Sequence, residues 1–293
     1  MQKILITGGK GFLGSRFKKM WKHKYEILNP GSRELNITDK DKVREYIISK
    51  KPQYVIHAAG IPNQKFCIEN PELAQKVNVE GAIYVAEACK EVNAKLIFIS
   101  TEQVFNGNVE NGPYTECTET VPDTVYGKNK LEVESRLSEV FNDYWVLRFT
   151  WLFGLPESNC ALGPNILWDT INSLIHNEKI YANAYEFRGM SDVNEICLNI
   201  EKVFSIPYGT YHFGSINNNS RYEIVKYIMQ LLKLDDEKIN SILIEENGKY
   251  SKENIRDLRL DTSKLAEQGI VFKETKEAIK NCLLNFGIIK EWL

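Results

Sequence analysis

The chain has 293 residues, 43% of them hydrophobic and 26% charged, with a formal net charge of −2, the composition of a soluble globular protein with a sizeable core. That balance offers no basic surface for nucleic acid and no block of like charge for a tail, and no apolar run is long enough to cross a membrane or to form a signal-peptide core. Six scattered cysteines (Cys67, Cys89, Cys117, Cys160, Cys197, Cys282) read as reduced thiols of a cytoplasmic protein, and the four histidines show no ligand spacing, so no metal is expected.

Taken from the N-terminus, residues 3–7 form a short β-rich apolar run that feeds a turn with Gly8, Gly11 and Gly14 at three-residue spacing, and a helical period follows over 12–23. In that context Gly8 permits a tight turn, Gly11 lets the backbone approach a pyrophosphate, and Gly14 lets the helix pack closely on the sheet. The helix start offers free N–H groups and partial positive charge to phosphates. A weaker strand at 25–28 ends in Asn29-Pro30-Gly31-Ser32-Arg33. An acid there would favour NAD. Ser32 and Arg33 instead suit the 2′-phosphate of NADPH, with NADH still open, and Arg33 suits equally a solvated loop cation.

Thr38-Asp39 caps a helix over 40–49, and a strand follows at 54–57. A helix over 71–92 opens on Pro71, where a missing N–H costs nothing. A strand at 95–100 ends in Ser100-Thr101, a helix spans 125–141, and a strand occupies 145–149. Strands of nearly continuous apolar character alternating with helices predict parallel pairing with both sheet faces covered. The fold class expected is therefore α/β, a Rossmann-type doubly wound parallel sheet, with ligands beyond the carboxyl ends of its strands. After about residue 151 the rhythm changes. A loop or crossing is expected at 154–164, helices at 221–232 and 273–284, and strands at 208–212 and 239–245. The division this implies is an NAD(P)-binding domain over 1–150 and a smaller C-terminal α/β substrate lobe over 151–293, with a segment near 188–208 returning to the first.

Tyr126 and Lys130 stand four apart in the helix at 125–141 and share one face. A tyrosine is a poor acid near neutrality, and a lysine cation beside it is expected to bring its pKa down, while also holding a ribose hydroxyl. Thr101, at the carboxyl end of its strand, can present a hydroxyl to a carbonyl. Glycine turn, Ser-Thr at a strand end, then Tyr-x-x-x-Lys opening the next helix form an ordered set pointing to carbonyl reduction. Arg256 and Arg259 can grip a nucleotide diphosphate or act as surface ion-pair partners. His57 reads as a satisfied strand-end histidine.

With these pieces in place the chain resembles the extended short-chain dehydrogenase/reductase family, and within it the dTDP-4-dehydrorhamnose reductase branch. The matching runs are residues 7–14, Leu35-Asn36-Ile37-Thr38-Asp39, His57-Ala58-Ala59-Gly60, Val77-Asn78, residues 100–107, 125–130, 147–154 and 256–265. The resemblance implies an NAD(P)H-dependent reduction of the 4-keto group of a nucleotide-linked deoxysugar, and allows a homodimer. It implies Tyr126 as proton donor, Lys130 as its electrostatic partner and Thr101 as hydrogen-bond donor to the substrate carbonyl. It further implies Gly8, Gly11, Phe12, Leu13 and Gly14 along the pyrophosphate, Asn36 and Ile37 beside the adenine, and Ala58, Ala59, Gly60 and Ser100 along the cofactor. Trp151 would face the sugar. Glu102 and Gln103, also beside the substrate, replace the Asp-Tyr usual in the reductases, which leaves the sugar open. The same resemblance extends to epimerases and dehydratases of the family and to the regulatory subunit of methionine adenosyltransferase.

Overall fold

In the computed structural model, which describes residues 1–290 apart from 247 and 249, the first half builds the alternation expected of it. β1 (Lys3–Thr7) leads through the glycine turn into α1 (Phe12–Trp21), followed by β2 (Glu26–Leu28), α2 (Lys40–Lys50) and β3 (Tyr54–His57). Asp39 caps α2 by accepting the Lys42 amide at 3.2 Å, so the predicted helix start is a physical one. The helix expected over 71–92 runs from Pro71 to Val92 without a break, but with a π turn in its middle. A short α3 (Gln64–Glu69) precedes it, then α4 (Pro71–Gln75), a π-helical turn over Lys76–Glu80, and α5 (Gly81–Val92). Turns of this kind re-aim side chains and cluster at functional sites; here the turn carries Asn78. β4 (Lys95–Thr101), a 3₁₀ turn (Glu102–Phe105), α6 (Val125–Val140) and β5 (Tyr144–Phe149) complete the half.

The later elements are β6 (Trp151–Phe153), α7 (Ile166–Ile175), β7 (Ile180–Ala182), β8 (Glu186–Arg188), β9 (Met190–Asp192), α8 (Val193–Val203), β10 (Gly209–Phe213), α9 (Arg221–Leu231), α10 (Asp236–Ile242), β11 (Leu243–Glu245), β12 (Arg256–Leu258), α11 (Ser263–Ala266) and α12 (Thr275–Asn285). The strand expected at 239–245 is a helix for its first half. Asp235 accepts the Lys238 amide at 2.7 Å, and Ile239 and Ile242, three apart, both turn inward, so a cap and a helical spacing overrode the β-branched composition. Residues 154–164 are irregular, as their prolines and glycines dictate.

Six strands form one parallel sheet in the order β2-β1-β3-β4-β5-β10. Successive residues of β1 serve opposite faces. Ile4 and Ile6 pack with Phe17, Trp145, Ile196 and Phe213 under α1 and α8, while Leu5 packs with Val55, Leu96 and Phe98 under α2, α5 and α6. The return of the chain to the large sheet thus runs through α8 to β10, which pairs with β5. The pairs β6·β9 and β7·β11 contribute to a third core of Phe153, Leu167, Ile228 and Ile279 among others, and the pair β8·β12 places Leu258 in a smaller cluster with Val104, Phe105 and Tyr114. The chain steps from β1 to β2 on one side and to β3 on the other, so the strand order reverses beside β1, and a crevice opens beyond the carboxyl ends of β1 and β3. No helix among the described residues is long and apolar enough to cross a membrane.

Candidate active site

That crevice is floored by the glycine turn. Gly8 sits at φ +67° and its carbonyl accepts the Gly11 amide at 2.9 Å. A Cβ on Gly14 would lie 2.4 Å from that same carbonyl oxygen, so side chains at 8 and 14 are excluded for backbone reasons. Gly11 is the N-cap of α1 and supplies no side-chain cap, which leaves the first-turn N–H groups for an anion. The cleft above, about 400 Å³, is lined by Gly8, Lys10 and Gly11, by Ser32, Asn36 and Ile37, and by Ala58, Ala59 and Gly60. Arg33 is exposed outside that lining; Lys10, on the turn itself, lines the cleft with its stem along Gly31. Leu13 turns its side chain into the core, and Phe12 lies under the guanidinium of Arg16 at 4.3 Å. Arg16, fully buried, donates to the carbonyls of Phe12 (2.7 Å), Ala161 (2.9 Å) and Leu155 (3.0 Å) and pairs with Glu157. It straps the 154–164 loop onto the glycine turn.

A second group of residues meets the cleft from α6. Thr124 caps this helix by accepting the Gly127 amide at 3.0 Å, and a Cβ on Gly127 would come within 2.6 Å of the Gln103 carbonyl, so α6 begins pressed against the 3₁₀ turn that follows Thr101. Lys130 is buried. Its Nζ donates to the Ile99 carbonyl at 2.8 Å and lies 4.6 Å from the Phe98 ring centroid and 5.7 Å from that of Tyr126. A Cβ on Gly60 would stand 3.8 Å from this Nζ, which brings the cofactor-side run 58–60 and α6 together. Asn78 pins that run, with its side-chain oxygen accepting the Ile61 amide (2.7 Å) and its NH₂ donating to the Ile61 carbonyl (3.2 Å).

The expectation that Lys130 lowers the tyrosine's pKa does not hold here. Burial pushes the Tyr126 phenol up, with Glu102 and Cys67 adding to it, because low dielectric and a neighbouring carboxylate both disfavour phenolate. Burial conversely pulls Lys130 down to about 8, opposed by Glu134. The phenol therefore stands protonated at neutral pH, as a donor must.

Thr101 is buried, accepts the Gln103 amide at 3.3 Å and donates to Glu102 at 3.4 Å. Glu102 pairs with Arg188, buried on β8. Glu186 takes Arg256 at 2.6 Å, Arg221 at 3.6 Å and Arg188 at 3.7 Å, and the guanidiniums of Arg188 and Arg221 lie 4.8 and 5.9 Å from the Trp151 ring centroid. The Nε atoms of Arg188 and Arg221 are buried without a partner among the described residues. Three arginines thus share Glu102 and Glu186, two of them beside the Trp151 ring, and Asp169 also bears on Arg221. Arg256 also donates to Asn106 at 2.7 Å, whereas Arg259 forks onto Asp257 and reaches the Gly112 carbonyl; the two arginines do not act as a pair. Gln103 hydrogen-bonds Gln64 on α3. Ser100 donates to Glu134, which takes a fork from Arg148. His57 bonds Thr7 Oγ1 through Nδ1 at 2.9 Å, but its Nε2 is buried without a partner among the described residues. It is satisfied on one nitrogen, not two, and burial drives its pKa to about 3.

Several of these residues carry signals in the sequence. Lys10 is a cation inside a glycine turn, and Glu134 continues the row 126, 130, 134 at helical spacing. Arg16, Arg188 and Arg221 carry no local signal, since their partners are distant in the chain.

The whole chain is matched, over residues 1–288, by the family model described as the RmlD substrate binding domain. It is similar to the spore coat polysaccharide biosynthesis protein SpsK of Bacillus subtilis, at 28% identity covering 97% of each chain. It is also similar to the dTDP-4-dehydrorhamnose reductase of Aggregatibacter actinomycetemcomitans, at 33% identity covering 73% of each. The crystal structure of dTDP-4-dehydrorhamnose reductase from Bacillus anthracis in complex with NADP superposes with a TM-score of 0.84 at 25% identity, over 97% of this chain and 99% of that one.

Proposed function

Since the chain belongs to the RmlD substrate binding domain family, within the extended short-chain dehydrogenase/reductases, we infer that it is an NAD(P)-dependent reductase of the 4-keto group of a nucleotide-linked deoxysugar. The observation that carries the reading is the approach of Gly60, on the cofactor cleft, to Lys130 and hence to Tyr126. A dinucleotide lying along residues 58–60 would reach the phenol. The glycine turn suits its pyrophosphate, since it combines excluded Cβ positions with an uncapped helix start. A dinucleotide held there would supply the hydride for the ketone carbon. Tyr126 gives a proton to the carbonyl oxygen, Thr101 hydrogen-bonds that oxygen, and Lys130 offsets the charge left on the phenol. Ser100 supports Thr101 from the preceding position. Arg256, with Arg188 and Arg221, supplies the positive field for the diphosphate; Trp151 gives the sugar an apolar face, and Glu102 and Gln103 border it. We take residues 1–150, with α8 and β10, as the cofactor-binding part and the rest from residue 151 as the sugar-nucleotide part. The free cysteines suit a reducing compartment, and we place the enzyme in the cytoplasm.

Purified protein should oxidise NADPH when given dTDP-4-keto-L-rhamnose or a related 4-ketosugar nucleotide. Tight NADPH binding with no turnover across such a panel would refute the reductase reading and favour a nucleotide-binding regulatory subunit. Lys10→Ala should raise the KM for NADPH about tenfold, the loss of one charge-assisted contact, and that for NADH far less, with a smaller effect for Arg33→Ala. Equal rises for both cofactors would remove Lys10 from 2′-phosphate recognition.

A further inference from the structure

Behind the Tyr126–Lys130 pair, α6 carries a third chemical group on the same face. Glu134 follows Lys130 by four residues, the spacing at which helical side chains are neighbours. Its carboxylate and that of no other residue in this row is buried and held on two sides: Arg148 on β5 forks onto it at 2.7 and 3.1 Å, and the Ser100 hydroxyl on β4 donates to it. Both partners of the Glu134–Arg148 pair are only 8% exposed. The neighbouring residue on β4, Ile99, receives Lys130 through its carbonyl at 2.8 Å. Lys130 and Glu134 therefore dock α6 onto two consecutive residues of β4, and the next residue is Thr101. Two side chains from one helix face thus lock the register between the strand that carries the carbonyl-binding hydroxyl and the helix that carries the proton donor.

We propose that Glu134 is a positioning residue for the ketoreduction: held by Arg148 and Ser100, it docks α6 on β4 one turn beyond the Lys130–Ile99 contact and supplies the countercharge that keeps this lysine a cation. The proposal rests on the reductase reading above. A packing role alone would be met by an apolar pair, which a buried site of this size often tolerates better than two charges. What an apolar pair cannot do is support the charge on a buried ammonium. The groups around Lys130 offer little other help. Tyr126 on α6 is a neutral phenol, His57 on β3 is neutral and faces it across the Phe98 ring, Cys67 on α3 and Glu102 on the 3₁₀ turn bear on Tyr126, and the cation of Arg148 on β5 is engaged by Glu134 itself. Consistently, burial pulls Lys130 down to about 8 and Glu134 is the group that opposes it.

The sign follows. Lys130 must be protonated to support the forming phenolate, so activity falls as pH rises through its pKa. Without the Glu134 charge that pKa drops, and the alkaline limb of kcat/KM moves to lower pH. Glu134→Gln should shift that limb by about one pH unit, so that the loss relative to wild type grows by about tenfold between the acid and alkaline sides. Because Glu134→Gln strands Arg148, the double variant Glu134→Gln/Arg148→Met is measured beside it; this variant should melt close to wild type and show the same displaced limb. A uniform loss at every pH with the limb in its wild-type place, in whichever of the two variants folds, would overturn the proposal. The wild-type assay separates this from failure of the reductase reading: an inactive wild type overturns that reading, whereas an active wild type with an unmoved limb in the variants overturns only the role of Glu134.

Discussion

Tyr126→Phe should lower kcat for 4-ketosugar reduction by about 10²- to 10⁴-fold, the usual contribution of a positioned general acid, while leaving NADPH binding near wild type. The substitution removes one oxygen and keeps the ring that packs at the start of α6. Reduction of a ketone needs a proton delivered as the alkoxide forms, and Tyr126 is the group whose environment prepares it for that. Its phenol is pushed up by burial and by Glu102, so it remains protonated through neutral pH and waits as a donor. The other hydroxyl at the site, Thr101, is a far weaker acid and is already turned to Glu102 at 3.4 Å, and burial pushes the Cys67 thiol up as well. Lys130 then matters during the transfer, when its cation meets the forming phenolate. Stopped-flow hydride transfer with NADPH fluorescence as the binding control decides the matter. A variant that retains more than about a tenth of wild-type kcat would remove Tyr126 from the role of acid.

The second large effect concerns stability. Glu102→Gln should lower the free energy of unfolding by about 3–5 kcal/mol, the range for breaking a buried ion pair on one side. Glu102 is 2% exposed and Arg188 is 7% exposed, so neither group can recover water when the other is lost. Arg188 has a second carboxylate in Glu186, but at 3.7 Å, and Glu186 is already shared with Arg256 and Arg221. The variant would leave Arg188 only the carboxylate that Arg256 and Arg221 already share. Glu102→Leu/Arg188→Met should recover most of the loss, since removing both charges leaves none stranded. Urea melts of the three proteins test this, and a loss below about 1 kcal/mol for Glu102→Gln would show that water reaches the pair. An anionic ligand would supply the negative charge that the variant lacks, so a nucleotide diphosphate should raise the melting temperature of wild type and raise that of Glu102→Gln by more.

The parts of this protein legible in its sequence are those made by residues close together in the chain. Residues 4–6 are apolar on both faces because they lie inside the sheet, and Gly14 is demanded by a backbone contact to Gly8 within the same turn, although Gly8 itself is also pressed by Ala58 and Ala59 just past the end of β3. Tyr126 and Lys130 share a helix face for the same local reason. Where sequence reading failed, a local rule competed with an invisible one. The run at 239–245 is β-branched, but the Asp235 cap and the inward spacing of Ile239 and Ile242 select a helix first. The helix over 71–92 forms as read, but the π turn inside it is not legible, because it changes the register without changing the composition.

What only the tertiary structure decided are the electrical states of those same residues. Which way the phenol of Tyr126 titrates depends on its burial and on the Glu102 charge beside it, and burial is a property of the folded chain. Lys130 is a partner to Tyr126 by spacing, yet its charge depends on Glu134, and Glu134 is held by an arginine on another strand. Arg16 straps a loop more than a hundred residues away, and Arg188 meets Glu102 across 86 positions. Helical and strand periodicities record which face a side chain takes, so they carry information over a few residues. A charge buried in low dielectric answers to every charge and dipole near it in space, and chain order does not record that neighbourhood.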